Sequence, residues 1–233
     1  MAKIRDSRPK TSSGGYERLL GNEELALIFT KVQSTVISNG SELEKIIISK
    51  ANSINDLDQF MNEVNIRKML NGVFLCSKKV IKKSRYVLKG CEPDFLIFSI
   101  QPEGKVAYVI ELKDGDTFDT KKSVGERESL INFKMHLGMM TEFRTEYKIC
   151  AFNQLNKERI VSGFKNKFKL NEVWTGKDFC DLLGIDYEKI IEQRKNDRED
   201  NYLYVIESLS KIKGIQAKVL EDNVFLNDTT VGE

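Results

Sequence analysis

Three charged residues stand at the ends of two apolar runs: Asp94 at the start of "PDFLIFSI", and Glu111 and Lys113 at the close of "KVAYVIELK". Two adjacent carboxylates repel each other and hold protons more tightly unless a cation lies between them. A hard divalent cation such as Mg²⁺ suits them. It takes oxygen ligands, usually one or two carboxylates with waters and substrate phosphate. A lysine alongside can orient or help deprotonate an attacking water and offset charge on a phosphate. The chemistry indicated is metal-assisted activation of water beside a phosphate; a surface salt bridge of Lys113 with Asp94 or Glu111 at a strand end is the alternative.

That chemistry requires the three side chains to converge, and the chain between them must bring this about. Gln101-Pro102-Glu103-Gly104 has proline second and glycine fourth, as in a type I turn. With these four residues as the loop, Ile100 faces Lys105, and the numbers of opposed residues sum to 205. Asp94 then lies opposite Glu111 on one face. Lys113, two residues further, shares that face. A three-residue loop with Gly104 in a bulge is the alternative. It sets Asp94 against Leu112 and parts the carboxylates unless a second bulge intervenes. Both runs are apolar on both faces, the mark of central strands.

Helices are expected before the hairpin. "NEELALIFTKVQSTVISN" has near-helical apolar spacing. "GSELEKIIISKANSI" reads as a second helix, with Ser41 and Glu44 as a capping box at its start. In "NDLDQFMNEVNIRKMLNG" a helix would turn Leu57, Phe60, Met61, Val64 and Leu70 inward and end at Gly72. "VFLCSKKVIKKSRYVL" reads as one or two strands carrying basic side chains. After the hairpin, "SVGERESLINFKMHLGMMTEFR" is an amphipathic helix with Leu130, Phe133, Leu137, Met140 and Phe143 inward. "YKICAFN" is then a buried strand, and the three elements make a right-handed βαβ unit. "NEVWT" reads as a further strand. Thr175 and Asp178 have capping-box spacing. Tyr187 to Ile212 reads as helix with a charged break at "RKNDREDN". The sum is an α/β fold: a mixed central sheet flanked by helices, with a helical N-terminal part. One domain is expected over 1–233, with a core over 41–153 and loosely ordered segments at 1–15 and 222–233.

Composition is that of a soluble globular protein, with 40% hydrophobic and 31% charged residues. No apolar run is long enough to span a bilayer, and the N-terminus lacks the apolar core of a signal peptide. A cytoplasmic protein is expected. Cys76, Cys91, Cys150 and Cys180 are scattered and suit neither a zinc site nor a disulfide framework. The single histidine, His136, excludes a multi-histidine metal centre. Net charge is +2, yet "KKVIKKSR" gathers five cations without an acid. Such a stripe is compatible with phosphate contacts through Lys82, Lys83 and Arg85, and equally with a solvated face.

Pro93-Asp94, a hairpin and then Glu111-Leu112-Lys113 resembles the PD-(D/E)XK nuclease superfamily, and within it the type II restriction endonucleases. The motif covers only the hairpin, but the similarity in layout extends over Ser41 to Asn153. The resemblance implies a restriction-endonuclease-like core. It implies that Asp94 and Glu111 bind Mg²⁺, that the Leu112 carbonyl adds a ligand and that Lys113 assists the attacking water. Many members also carry a glutamate on a helix before the sheet. "GSELEKII" resembles that element, so Glu44 is a candidate site residue as well as a candidate cap; Glu63 is a weaker one. Segments after the motif contact DNA in restriction enzymes, which points to Lys121, Lys122, Arg127 and Lys134. "TGKDFCDLLGIDYEKI" also resembles C-terminal segments of such enzymes, with no role beyond packing.

The function implied is a Mg²⁺-dependent, site-specific endonuclease on double-stranded DNA, leaving 5′-phosphate ends. Cutting both strands of a symmetric site calls for two centres, hence a homodimer. A repair or junction-resolving nuclease and a non-catalytic DNA-binding module are the rivals. The recognition sequence is not written in any spacing.

Overall fold

The hairpin pairs in the register that joins its charges. Phe95 lies opposite Ile110, Ile100 opposite Lys105 and Gln101 opposite Gly104, so opposed numbers sum to 205 throughout. Pro102 and Glu103 form the turn between them. Gly104 has φ +155°, a conformation that L side chains rarely adopt, so glycine is required there. The alternative register with Gly104 in a bulge is thereby excluded.

The computed structural model describes residues 1–8, 14–66 and 71–218. Leu70 and the segment 222–233 lie outside the described residues. In chain order the elements are α1 (Gly14–Leu20), α2 (Glu23–Lys50), β1 (Ser53–Ile54), α3 (Leu57–Asn65), β2 (Gly72–Ser77) and α4 (Lys78–Ile81). Then follow β3 (Phe95–Gln101), β4 (Gly104–Lys113), α5 (Thr120–Met140), β5 (Arg144–Ala151), α6 (Lys157–Gly163), β6 (Val173–Thr175), α7 (Gly176–Leu183) and α8 (Tyr187–Ser210). The chain divides into two compact units, Leu43–Glu188 and the rest. No helix among the described residues is long and apolar enough to cross a membrane.

Leu43–Glu188 holds one sheet in the order β1-β2-β3-β4-β5-β6. β2, β3 and β4 run antiparallel to one another. β1 joins β2, and β5 and β6 follow β4, all in parallel. The sheet is mixed, as expected, and β4-α5-β5 is the expected crossover unit. On one face Leu96, Phe98, Ala107 and Val109 meet Leu57, Phe60 and Met61 of α3 and Leu130, Phe133 and Leu137 of α5. Phe98 stands between Phe60, at 5.2 Å, and Phe143, at 5.1 Å. On the other face Phe95 meets Phe179 of α7. Each fully buried side chain of this kind contributes about 1.5–3 kcal/mol.

Gly72 opens β2 and does not end a helix; three further expectations need correction. First, α2 is a single helix running through Gly40 and Ser41, so no capping box forms at Ser41 and Glu44. An interior glycine costs a helix only about 1 kcal/mol, and Leu43 and Ile47 continue the buried stripe. Second, Lys78 to Ile81 is helix, not strand. Pairing with β3 ends at Ser77 opposite Phe95. Beyond it the Lys78 N–H donates to the Asp94 carbonyl at 2.9 Å, and the chain turns to bury Ile81. Third, α8 has no break at "RKNDREDN". Its charges are answered by the first five residues. Arg5 donates to both oxygens of Asp200, at 3.1 and 2.8 Å, and Asn201 pairs with the backbone of Ala2 and Ile4. The start of the segment expected to be loosely ordered is thus held, with Ile4 buried.

The Thr175–Asp178 capping box forms at α7. α5 starts at Thr120, three residues before the expected helix, because the Asp119 carboxylate accepts the Lys122 N–H at 2.8 Å. Met140 lies exposed at its far end. The cysteines are free, and burial pushes the Cys76 and Cys180 thiols up to about 12.

Candidate active site

β3 and β4 deliver the acids. Asp94 immediately precedes β3, and Glu111 ends the same-face row that runs through Ala107 and Val109. Both are only 8% exposed. Charged residues are rarely buried so deeply unless they are paired, and these have built partners. One Asp94 oxygen accepts from Lys78 Nζ at 3.1 Å and the other from the Leu112 N–H at 3.0 Å. Lys113 Nζ donates to Glu111 at 2.6 Å and to Glu126 of α5 at 2.7 Å. It also lies 5.7 Å from the ring centre of Phe118.

The electrostatics follow from this crowding. Burial first, then the charge of Asp94, pushes the Glu111 carboxyl up to about 8; Lys113 only partly opposes the rise. Burial disfavours the Lys113 ammonium, but Glu111 and Glu126 outweigh it and raise its pKa. Lys78 behaves alike: burial opposes its charge, and Asp94, Glu111 and Glu44 more than restore it.

Glu44 comes to the same place from α2. It is half-buried, and its pKa is raised by burial and then by Asp94, while Lys78 and Lys113 lower it. With no capping box to form, its carboxylate faces the site's charges instead. Glu63, on α3, accepts from Gln59 at 3.2 Å.

The expected DNA contacts divide. Lys82 and Lys83 follow α4 and are exposed; Lys121 and Lys122 are exposed in the first turn of α5. Lys134 is half-buried on α5. The two arginines are engaged by neighbours. Arg85 donates to Asp58, Asn62 and Tyr86. Arg127 donates to both oxygens of Glu172, at 3.4 and 3.1 Å. His136 packs against Phe133.

Lys78, Glu126 and Phe118 were not singled out from the sequence. Glu126 had a usable signal. It lies four residues before Leu130 on the row continued by Phe133 and Leu137, an acid in line with a buried stripe. Among the described residues no three His, Cys, Asp or Glu side chains form a metal cage by themselves. The groups that donate to Asp94 and Glu111 are the Lys78 and Lys113 ammonium groups and the Leu112 N–H.

A curated relative, described as Type II restriction enzyme HhaII of Haemophilus parahaemolyticus, is 45% identical over 214 residues. The match covers 90% of this chain and 94% of the relative. No family model matches the chain, and no solved structure matches it.

Proposed function

The chain belongs to the type II restriction endonucleases, which hydrolyse DNA at specific sequences, and from that premise we propose that Asp94, Glu111 and Lys113 are its catalytic centre, of the PD-(D/E)XK type. The observation that carries the assignment is the convergence of two buried carboxylates and a lysine at one end of a central hairpin.

The donor set suits Mg²⁺: Asp94 and Glu111 offer oxygens, the Leu112 carbonyl is the third candidate, and water and phosphate complete the shell of such a cation. The Glu111 carboxyl, pushed up by burial and Asp94, marks negative charge that the site's own lysine does not fully neutralise. When bound, the ion supplies Lewis-acid stabilisation of charge on the phosphate. Lys113, an ammonium held between two carboxylates, donates hydrogen bonds to the attacking water or to the phosphate. Glu126 fixes where that ammonium points. Glu44 adds a carboxylate at the edge of the centre. In-line attack by water breaks the bond to the 3′ oxygen and leaves 5′-phosphate and 3′-hydroxyl ends. Each chain carries one such centre, so a symmetric double-strand cut calls for a homodimer on double-stranded DNA.

Digestion of plasmid DNA tests the reading. With Mg²⁺ the protein should give discrete bands, and Asp94→Asn or Lys113→Ala should give none while melting as the parent does. Normal cutting by either variant would overturn the assignment. Cleavage restricted to branched DNA would favour a junction-resolving nuclease.

A further inference from the structure

Beside the centre lies a second feature that the hydrolysis itself does not use. A cavity of about 410 Å³ opens between α2, β1 and α4, and its lining includes Glu44, Ile54, Ser77, Lys78, Lys79 and Lys83. Two of these residues, Glu44 and Lys78, are also within electrostatic reach of Asp94. The cavity and the catalytic centre therefore share a wall.

The charges along that wall are unequal. Lys78 is matched: its Nζ is 3.1 Å from Asp94. Lys79 and Lys83 are exposed and make no ion pair among the described residues. Backbone hydrogen bonds from Lys82 to Lys78 and from Lys83 to Val80 carry the helical path past α4. Lys79 and Lys83 both line the cavity, so they lie on one side of this segment. The other cation of the stripe with an assigned partner, Arg85, is turned away to Asp58 and Asn62. Two unmatched ammonium groups in a hollow that adjoins a phosphodiester-cutting centre call for a repeating anion. Along one DNA strand a phosphate recurs about every 3.4 Å of helix axis.

We propose that this cavity seats a backbone phosphate of the cut strand next to the scissile one, held by Lys79 and Lys83, with Lys78 bridging the two positions. The proposal rests on the nuclease reading above and deepens it. It assigns part of the basic stripe to register on the DNA rather than to base reading.

The test uses the full-length protein, the K79A/K83A double variant and two duplexes: one of mixed sequence, and one carrying the cleavage site mapped from plasmid digestion. Binding is measured with Ca²⁺ replacing Mg²⁺ over a range of salt, and melting confirms that the variant folds. The double variant should bind both duplexes roughly tenfold more weakly, with a salt slope shallower by about one for each chain on the DNA. Site duplexes with single methylphosphonates near the cut supply a second reading. One position should weaken the parent protein but not the variant. An unchanged salt slope, or a parent indifferent to every neutralised phosphate flanking the cut, would overturn the proposal while leaving specific cleavage intact. Failure of the nuclease reading would show separately, as absence of discrete plasmid cleavage by the parent protein.

Discussion

Glu126 on α5 accepts a hydrogen bond from Lys113 on β4 at 2.7 Å, joining a crossover helix to the strand that carries the proposed catalytic lysine. Glu111 holds the same ammonium from the other side at 2.6 Å. If Glu111 turns to a bound cation, Glu126 remains to aim Lys113.

Glu126→Ala should therefore lower kcat by about a hundredfold, the scale of a small misplacement of a reacting group. DNA affinity measured with Ca²⁺ should stay at the parent value. Glu126→Gln can still accept from Lys113 and should retain much of the rate. Parallel losses of affinity and rate in both variants, or no loss in either, would show that Glu126 does not position the lysine.

Arg127 is placed to brace the fold. Its bidentate contact with Glu172 is reinforced by the Tyr147 hydroxyl and by the Lys169 N–H at 2.9 Å, both donating to the same carboxylate. Arg127→Ala should lower Tm, and a double-mutant cycle with Glu172→Ala should give a coupling of about 1 kcal/mol, the upper end for partly exposed pairs. The salt slope for DNA should match the parent. A slope shallower by about one would instead make Arg127 a phosphate contact.

Asp178 gives stability a pH dependence. Burial alone would raise its pKa, but the Thr175 N–H and hydroxyl and then Lys157 more than reverse this, so the folded value lies below the ordinary 3.8. A depressed carboxylate contributes stability that is present above the unfolded pKa and is lost as pH falls through the folded one. Between neutral pH and pH 5 the contribution should be flat, and it should fade in the acid range below 3.8. Asp178→Asn should be less stable than the parent at pH 7, with the gap closing in acid. Thermal melts across pH measure this, and a constant gap would contradict it.

The hairpin was legible because its signals are local: apolar residues on both faces, a Pro/Gly turn, and a count that places Asp94 against Glu111. The break expected at Gly40–Ser41 was not real, because a helix with a buried stripe on both sides tolerates one glycine. Lys78 to Ile81 reads as strand because the β-branched Val80 and Ile81 follow the apolar run of β2; what ends the strand is the start of its partner at Phe95, a fact of pairing and not of spacing. Lys78 and Glu126 join the centre across gaps of 16 and 13 residues. No short motif contains them, and only the assembled sheet and helix bring them in.

The two-residue turn at Pro102-Glu103 has a consequence for inheritance. Strand pairing sets Phe95 opposite Ile110, and Asp94 and Glu111 are the next residues outward, so their placement follows the spacing of the backbone and owes little to which apolar side chains lie between. What descendants of this protein must preserve along the strands is a number of residues and an alternation. Exchanging one aliphatic residue for another in β3 or β4 leaves the centre measured out as before. Deleting a single residue between Asp94 and the turn would send one carboxylate to the wrong side of the sheet.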